Sequence, residues 1–413
     1  MRRRWVRRIG IVAGAFAGVI AAWLTVAAIV YSPTYVMRVL QMRESSQADY
    51  LENFPVRTLA ASSRPYRYAP APDLEVARQL AAVFETDDID QFLTSTATQA
   101  LLVITNDSLV VEWYGNGAER DTMLTSFSVA KSFDSALVGI AIDEGFIASV
   151  DDPITDYLPE LADDDHGVQL SRITVADLLS MSSGLDYHEM RWAVFNGDDP
   201  LTTYHPDQQE ISLAAATRLV DEPGRYFRYN KYHPQLLGMI LERTTGMTVS
   251  DYTESRLWEP LGMEYDGQWT LDRDDGFEKM EAGLNARAID FAKLGSLYLA
   301  GGSRNGDRIV SEEWVAASVS PTPERIRPDR YRDDFGRWIN DDGNGWYGYF
   351  WYGRARDDNR FDFFAEGDHG QFIYVCPRAN TVVVRIGTEF GLPGSRWIDA
   401  FQQFCGRLTE SPT

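Results

Sequence analysis

Ser128 and Lys131 stand one helical turn apart in the run Ser126-Phe127-Ser128-Val129-Ala130-Lys131-Ser132-Phe133. On a helix this spacing puts both side chains on one face, so the amine reaches the hydroxyl. The helix amino terminus also favours negative charge developing near Ser128. The chemistry this suggests is nucleophilic: an amine without its proton accepts the serine proton, and the oxygen attacks a carbonyl to give an acyl-enzyme that water releases. Arginine could not serve in that place, because its guanidinium keeps its proton in proteins. Of 39 basic residues only Lys131, Lys231, Lys279 and Lys293 are lysines, so a lysine here stands against a strong preference for arginine. The spacing is short, however, and an ordinary helix start can read the same.

Other chemistries find little support. The five histidines, His166, His188, His205, His233 and His369, form no His-Glu-x-x-His or close pair, so no metal is expected. Ser180-Met181-Ser182-Ser183-Gly184 lacks the first glycine of a Gly-x-Ser-x-Gly elbow. There is no Gly-x-x-x-x-Gly-Lys phosphate loop, and Asp272-Arg273-Asp274-Asp275-Gly276 is out of register for calcium, so no cofactor is expected. The 413 residues are 44 % hydrophobic and 24 % charged, ample for a packed core. A formal charge of −22 argues against nucleic-acid partners, whose phosphates it would repel. Cys376 and Cys405 allow one bridge or two buried thiols.

The chain around this site divides into three. Met1 to Arg8 holds five arginines, and Ile9 to Val30 then runs 22 residues without a charge, enough to span a hydrocarbon layer of about 30 Å. A cleavable signal has an apolar core of roughly 7–15 residues, so residues 1–31 read as a cytoplasmic tail and an uncleaved anchor. The leading arginines predict that Tyr31 onward lies outside the cytoplasm. Gly10, Gly14 and Gly18 match a small-xxx-small packing face for weak self-association, although small residues are common in membrane helices anyway. Residues 32–72, with Pro33, Pro55, Pro65, Pro70 and Pro72, read as a linker that partly wraps the body. Residues 73–413 form the catalytic domain. There, Leu74 to Phe84 has helical periodicity, and Ala100 to Thr105 with Leu109 to Tyr114 predicts a hairpin turning at Asn106-Asp107. A helix is expected from Ser128 to Glu144, followed by helical patterns at Thr174 to Ser180, Leu213 to Val220, Leu236 to Thr244 and Ala286 to Leu299. Strands return at Tyr347 to Tyr352, Phe361 to Phe364, Gln371 to Val375 and Thr381 to Ile386, before a helix from Arg396 to Leu408. Strands at both ends with helices between predict an α+β fold: an antiparallel sheet from both chain ends and a mostly helical lobe.

Several ordered segments resemble the serine β-lactamase and penicillin-binding-protein superfamily, whose first box is Ser-x-x-Lys. The resemblance is strongest to the class C β-lactamase-related branch of esterases and 6-aminohexanoate-oligomer hydrolases, and covers about Ala100 to Cys405. It rests on Asp151-Asp152-Pro153-Ile154-Thr155-Asp156-Tyr157-Leu158-Pro159, on Ile173 to Leu185, and on Pro223-Gly224-Arg225-Tyr226-Phe227-Arg228-Tyr229-Asn230-Lys231. Glu259-Pro260-Leu261-Gly262-Met263 and Ala282-Gly283-Leu284-Asn285-Ala286 also have counterparts. The resemblance implies a β-lactamase/transpeptidase-like fold with Ser128 as nucleophile, Lys131 as its activator and Tyr229 as the second-box tyrosine. Either Lys131 or a Tyr229 phenolate, its pKa lowered by Lys131 and Lys231, then takes the serine proton. Two boxes depart from the pattern. Tyr229-Asn230-Lys231 replaces Tyr-x-Asn, so the amide that usually meets substrate is either replaced by the Lys231 cation or shifted by one residue to Asn230. Gly367-Asp368-His369-Gly370-Gln371 only loosely matches Lys-Thr-Gly. His369 is either the positive or hydrogen-bonding group of that box, with backbone near Gln371 joining the Ser128 amide as an oxyanion hole, or a turn histidine without a catalytic part. Asn285 is a candidate substrate contact or a helix cap, and Trp192, Trp346, Tyr349 and Trp351 are candidate pocket walls or core. The expected activity is a membrane-anchored, extracytoplasmic serine hydrolase that cleaves an ester or amide of a small molecule or peptide, β-lactam-like substrates included. The rival is a degenerate envelope protein that binds peptidoglycan-type ligands without turnover.

Overall fold

The computed structural model describes residues 2–42, 46–162, 167–188, 197–332, 339–340, 342–356 and 360–410. Arg2–Tyr31 is one helix, α1, and its stretch Ile11–Tyr31, with a mean hydropathy of 2.1, is long and apolar enough to cross a membrane. The segment expected as a linker carries regular structure: α2 (Pro33–Gln41), α3 (Gln47–Glu52), β1 (Val56–Leu59) and β2 (Ala69–Pro70). Ser32 caps α2 by accepting from the Tyr35 amide, with Pro33 in the first turn.

Helices α4 (Leu74–Val83) and α5 (Ile89–Ser95) lead into the expected hairpin of β3 (Thr98–Thr105) and β4 (Ser108–Tyr114). Its turn residues Asn106 and Asp107 have φ of 50° and 61°, the left-handed pair that a two-residue turn requires. β5 (Leu124–Thr125) then delivers the chain to a 3-10 turn, Phe127–Val129, that continues into α6 (Ala130–Asp143). α6 is buried from Ala130 to Ala141, and Gly145, at φ 79°, follows its end.

The middle of the chain is helical: α7 (Gly167–Leu170), α8 (Val175–Leu179), α9 (Asp198–Tyr204), α10 (Gln208–Ala216), α11 (Tyr232–Thr245) and α12 (Val249–Thr253). A capping box of Thr174 and Asp177 starts α8. Asp207 caps α10, so this helix begins and ends earlier than the pattern from Leu213 to Val220 implied. β6 (Gly267–Thr270), β7 (Leu284–Ala286) and α13 (Ala288–Leu299) follow, then β8 (Ser303–Arg304), β9 (Asp307–Arg308) and α14 (Glu312–Val319). The chain closes with β10 (Gly345–Tyr347), β11 (Tyr352–Ala355), β12 (Phe361–Gly367), β13 (Gln371–Cys376), β14 (Thr381–Gly387) and α15 (Gly394–Glu410). The strand expected from Tyr347 to Tyr352 is thus two strands. Phe350 takes a left-handed φ of 57°, and the Gly348 amide donates to the Trp351 carbonyl at 2.8 Å, which closes a turn between them.

Eight strands form one sheet in the order β10-β11-β12-β13-β14-β3-β4-β2, and β14 pairs antiparallel with β3, so both ends of the domain build it. Only β2 joins in parallel. A smaller sheet runs β1-β6-β7-β5, which makes the first strand of the wrapping segment a partner of the strands beside Ser128. Side chains alternate across β13. Ile373 faces α13, where Gly295 has no room for a Cβ, while Phe372 and Tyr374 meet Phe401 of α15 with ring centroids 5.9 and 5.6 Å apart. Burial on both faces explains the unbroken apolar run in β13 and β14.

Cys376 and Cys405 are bonded, which ties β13 to α15 across 29 residues. Replacing both with alanine should lower unfolding stability by about 2–4 kcal/mol, read as an earlier denaturant midpoint. A midpoint that neither this change nor reductant moves would show that the bridge contributes nothing.

Candidate active site

The nucleophile candidate sits where β5 hands over to α6. Phe127, just before it, has a φ of 45°, a left-handed backbone that costs a non-glycine residue about 1–3 kcal/mol. Aromatic contacts hold it there: Tyr50 of α3 meets the Phe127 ring edge-on at 5.4 Å, and the His369 ring lies at 4.8 Å. The turn aims Ser128, half-buried, at two groups from distant parts of the chain. Its Oγ lies 3.0 Å from Lys131 Nζ and 2.8 Å from the Tyr229 hydroxyl.

Lys131 is buried, donates to the Glu281 carbonyl at 2.6 Å, and lies 5.0 Å from the centre of the Tyr229 ring. Burial, reinforced by the charge of Lys231, lowers its pKa from 10.5 to about 7, against the pull of Glu281, Asp134 and Asp199. A substantial fraction of this amine is therefore unprotonated at neutral pH. Asp134 follows one turn later, fully buried, with neither carboxyl oxygen hydrogen-bonded. Burial raises its pKa well above the usual carboxylate range, against the charge of Lys131, which weakens the pull Asp134 exerts on the Lys131 proton.

β12 forms the opposite wall. It ends at Gly367, where a Cβ would lie 2.5 Å from the Ser126 carbonyl oxygen and 3.1 Å from the Ser128 nitrogen, so only glycine fits. The turn beyond it is held by Arg385, whose buried guanidinium donates to the carbonyls of His369, Gly370 and Thr96. Burial lowers the pKa of this guanidinium to about 9.

The remaining sequence candidates are distributed differently. Lys231 forms an ion pair with Asp199 of α9 and reaches Lys131 through its charge. Asn230 is buried, and its Oδ1 accepts from the Tyr232 amide at 2.9 Å, which anchors the start of α11. His369 packs on Phe127, the residue before Ser128. Gln371 is buried: its amide nitrogen donates to the carbonyls of Gly387 at 2.7 Å and Asp368 at 3.0 Å, so it fastens the turn. Asn285, in β7, donates to Thr270 Oγ1 at 3.0 Å. Trp346 and Trp351 belong to the core, and Tyr349 stacks 5.4 Å from Trp314. Trp192 and His166 lie outside the described residues. Sequence reasoning missed Glu281, Arg385 and Tyr50, and named Gly367 only as part of the loosely matching third box. Glu281 is next to the Ala282 to Ala286 segment already singled out, but its contact with Lys131 is through the backbone carbonyl, which no residue type announces.

Known proteins resemble this chain in sequence and in fold. The chain is 28 % identical over 346 residues to the 6-aminohexanoate-dimer hydrolase of Paenarthrobacter ureafaciens, a match covering 80 % of this chain and 82 % of that one. It is 27 % identical over 273 residues to esterase EstB of Burkholderia gladioli, covering 57 % of this chain and 68 % of the esterase. A family VIII carboxylesterase structure shares the fold with a TM-score of 0.59 at 19 % identity, covering 82 % of this chain and 99 % of its own. Residues 86–403, which include Ser128, Lys131 and Tyr229, match the β-lactamase family profile, and the chain belongs to this family of serine hydrolases.

Proposed function

We propose that this hydrolase cleaves an uncharged ester or amide through an acyl-enzyme on Ser128, while α1 holds residues 32–413 at the extracytoplasmic face of a membrane. The observation that carries the reading is the position of Ser128 Oγ between a buried amine at 3.0 Å and a phenol at 2.8 Å. Lys131 in its neutral form takes the Ser128 proton as Oγ attacks the carbonyl carbon. The Ser128 amide and a backbone amide of the turn from Gly367 to Gln371 bind the resulting oxyanion. Tyr229 gives its proton to the leaving alcohol or amine and recovers it from Lys131, which leaves an ester on Ser128 that water hydrolyses. The turn between β12 and β13 presents His369 and backbone in place of a lysine, which favours substrates without a carboxylate to hold. The relative named an esterase fits that choice, whereas the substrate named for the dimer hydrolase is an amide with a free carboxylate. The arginine-rich tail before an apolar span supports the membrane orientation.

Incubating the full chain with a fluorophosphonate should add a single adduct to its intact mass, and Ser128→Ala should remove it. No adduct on the wild type would favour the ligand-binding rival, and an adduct that survives in S128A would relocate the nucleophile.

The acylation rate should rise roughly tenfold per pH unit up to about 7 and then level off, because only neutral Lys131 accepts a proton. Lys131→Arg should lower that rate by about 10² or more and abolish the inflection. A variant that stays active with the same inflection would assign the base elsewhere.

A further inference from the structure

The join between α1 and the catalytic domain is packed. Ala27 of α1 is buried in a cluster with Tyr35, Val36 and Val39 of α2 and with Tyr204 of α9, and Leu24 and Ala28 pack against it. Leu24 precedes Tyr31 by about 10 Å along the helix, so the domain grips the last two turns of the span itself. α2 is amphipathic. Its Val36 and Val39 face inward, while Met37 and Leu40, one turn apart, are 52 % and 53 % exposed. Beside it, a crevice of about 810 Å³ opens between α1 and the domain. Ile29 and Val30 line one wall, and Leu201, Ile211 and Ala214 of α9 and α10 line the other. Its rim carries Arg218 and Arg273, paired with Asp198 at 2.7 Å and Asp207 at 2.9 Å.

We propose that this crevice takes an acyl chain of a membrane phospholipid and that α2 lies in the lipid headgroup layer, so the catalytic domain is seated directly on the bilayer. The proposal rests on the reading of α1 as a membrane span. Continuity identifies the occupant: Ile29 and Val30 are 79 % and 63 % exposed on the same helix that lipid must cover, and the crevice is an extension of that surface. The exposed pair on α2 extends the apolar surface along the plane, as in helices that lie at an interface. Tyr31 stands at the boundary, where aromatic residues concentrate, and the paired arginines meet the polar layer. The seat is close to the chemistry. α9 offers Leu201 to the crevice and Asp199 to Lys231, so one helix about 10 Å thick separates lipid from the active site. Esters or amides dissolved in the leaflet are thereby concentrated at Ser128.

The test uses the full chain in phosphatidylcholine and phosphatidylglycerol vesicles containing nitroxide-labelled phospholipid. Single cysteines, Val19→Cys, Met37→Cys, Leu40→Cys, Ala214→Cys and Leu74→Cys, each carry bimane, and the native pair is closed in its disulfide. Positions 37, 40 and 214 should be quenched at least about twofold more than position 74, an exposed apolar site away from the anchor. Quenching at position 19 alone would keep the anchor and overturn the seated domain. No quenching at position 19 would overturn the anchor and the seat together.

Discussion

Burying the Lys131 amine beside a hydroxyl costs free energy unless the amine sheds its proton or finds acceptors, and much of the structure answers that constraint. The Glu281 carbonyl is the acceptor, so the Glu281 backbone must be held in place. Its side chain pairs with buried Lys279 at 2.7 Å and accepts from Gln235 of α11 at 2.6 Å. Lys279 in turn donates to the Thr202 and Thr203 carbonyls of α9 at 3.1 and 2.8 Å, and lies over the rings of Tyr50 and Phe54. The network thus joins the active-site amine to the helical lobe and to the segment that follows α1. A charge balance that keeps Lys131 only part-protonated depends on contacts spread over some 230 residues of chain.

The backbone around Ser128 is arranged by a second set of constraints. A left-handed Phe127 and a glycine at 367 let two chain segments approach more closely than side chains would allow, and Arg385 holds the turn beyond them through carbonyls alone. Strain of this kind persists only where its surroundings over-determine it. Tyr50 and His369 supply that on either side of Phe127, which gives the wrapping segment a part in shaping the site.

Periodicity revealed most of the elements, because the hairpin at Asn106-Asp107, the apolar helix after Ser128 and the closing strands each answer to local rules of turn chemistry and burial. It failed where distant contacts override local preference. Tyr347 to Tyr352 reads as one strand, yet a hydrogen bond across Gly348 and Trp351 folds it into two. The proline-rich stretch from Ser32 to Pro72 reads as a linker that partly wraps the body, but its spacing does not say that β1 pairs with β6, more than 200 residues on.

The sequence by itself determined that Ser128 and Lys131 meet, since residues three apart come together across one helical turn. It also determined the apolar span and the family, whose segments are contiguous and ordered. The scarcity of lysine pointed further than catalysis: Lys131, Lys279 and Lys293 are all buried, where a compact ammonium donates to carbonyls. Only the tertiary structure decided which other groups surround Ser128. Tyr229 joins it across 101 residues, while Lys231, Gln371 and Asn285 are held by partners elsewhere. The reason is physical: proximity along a helix is written in spacing, whereas the direction of a side chain, the pKa of a buried amine and the aim of a backbone carbonyl exist only once the chain has packed.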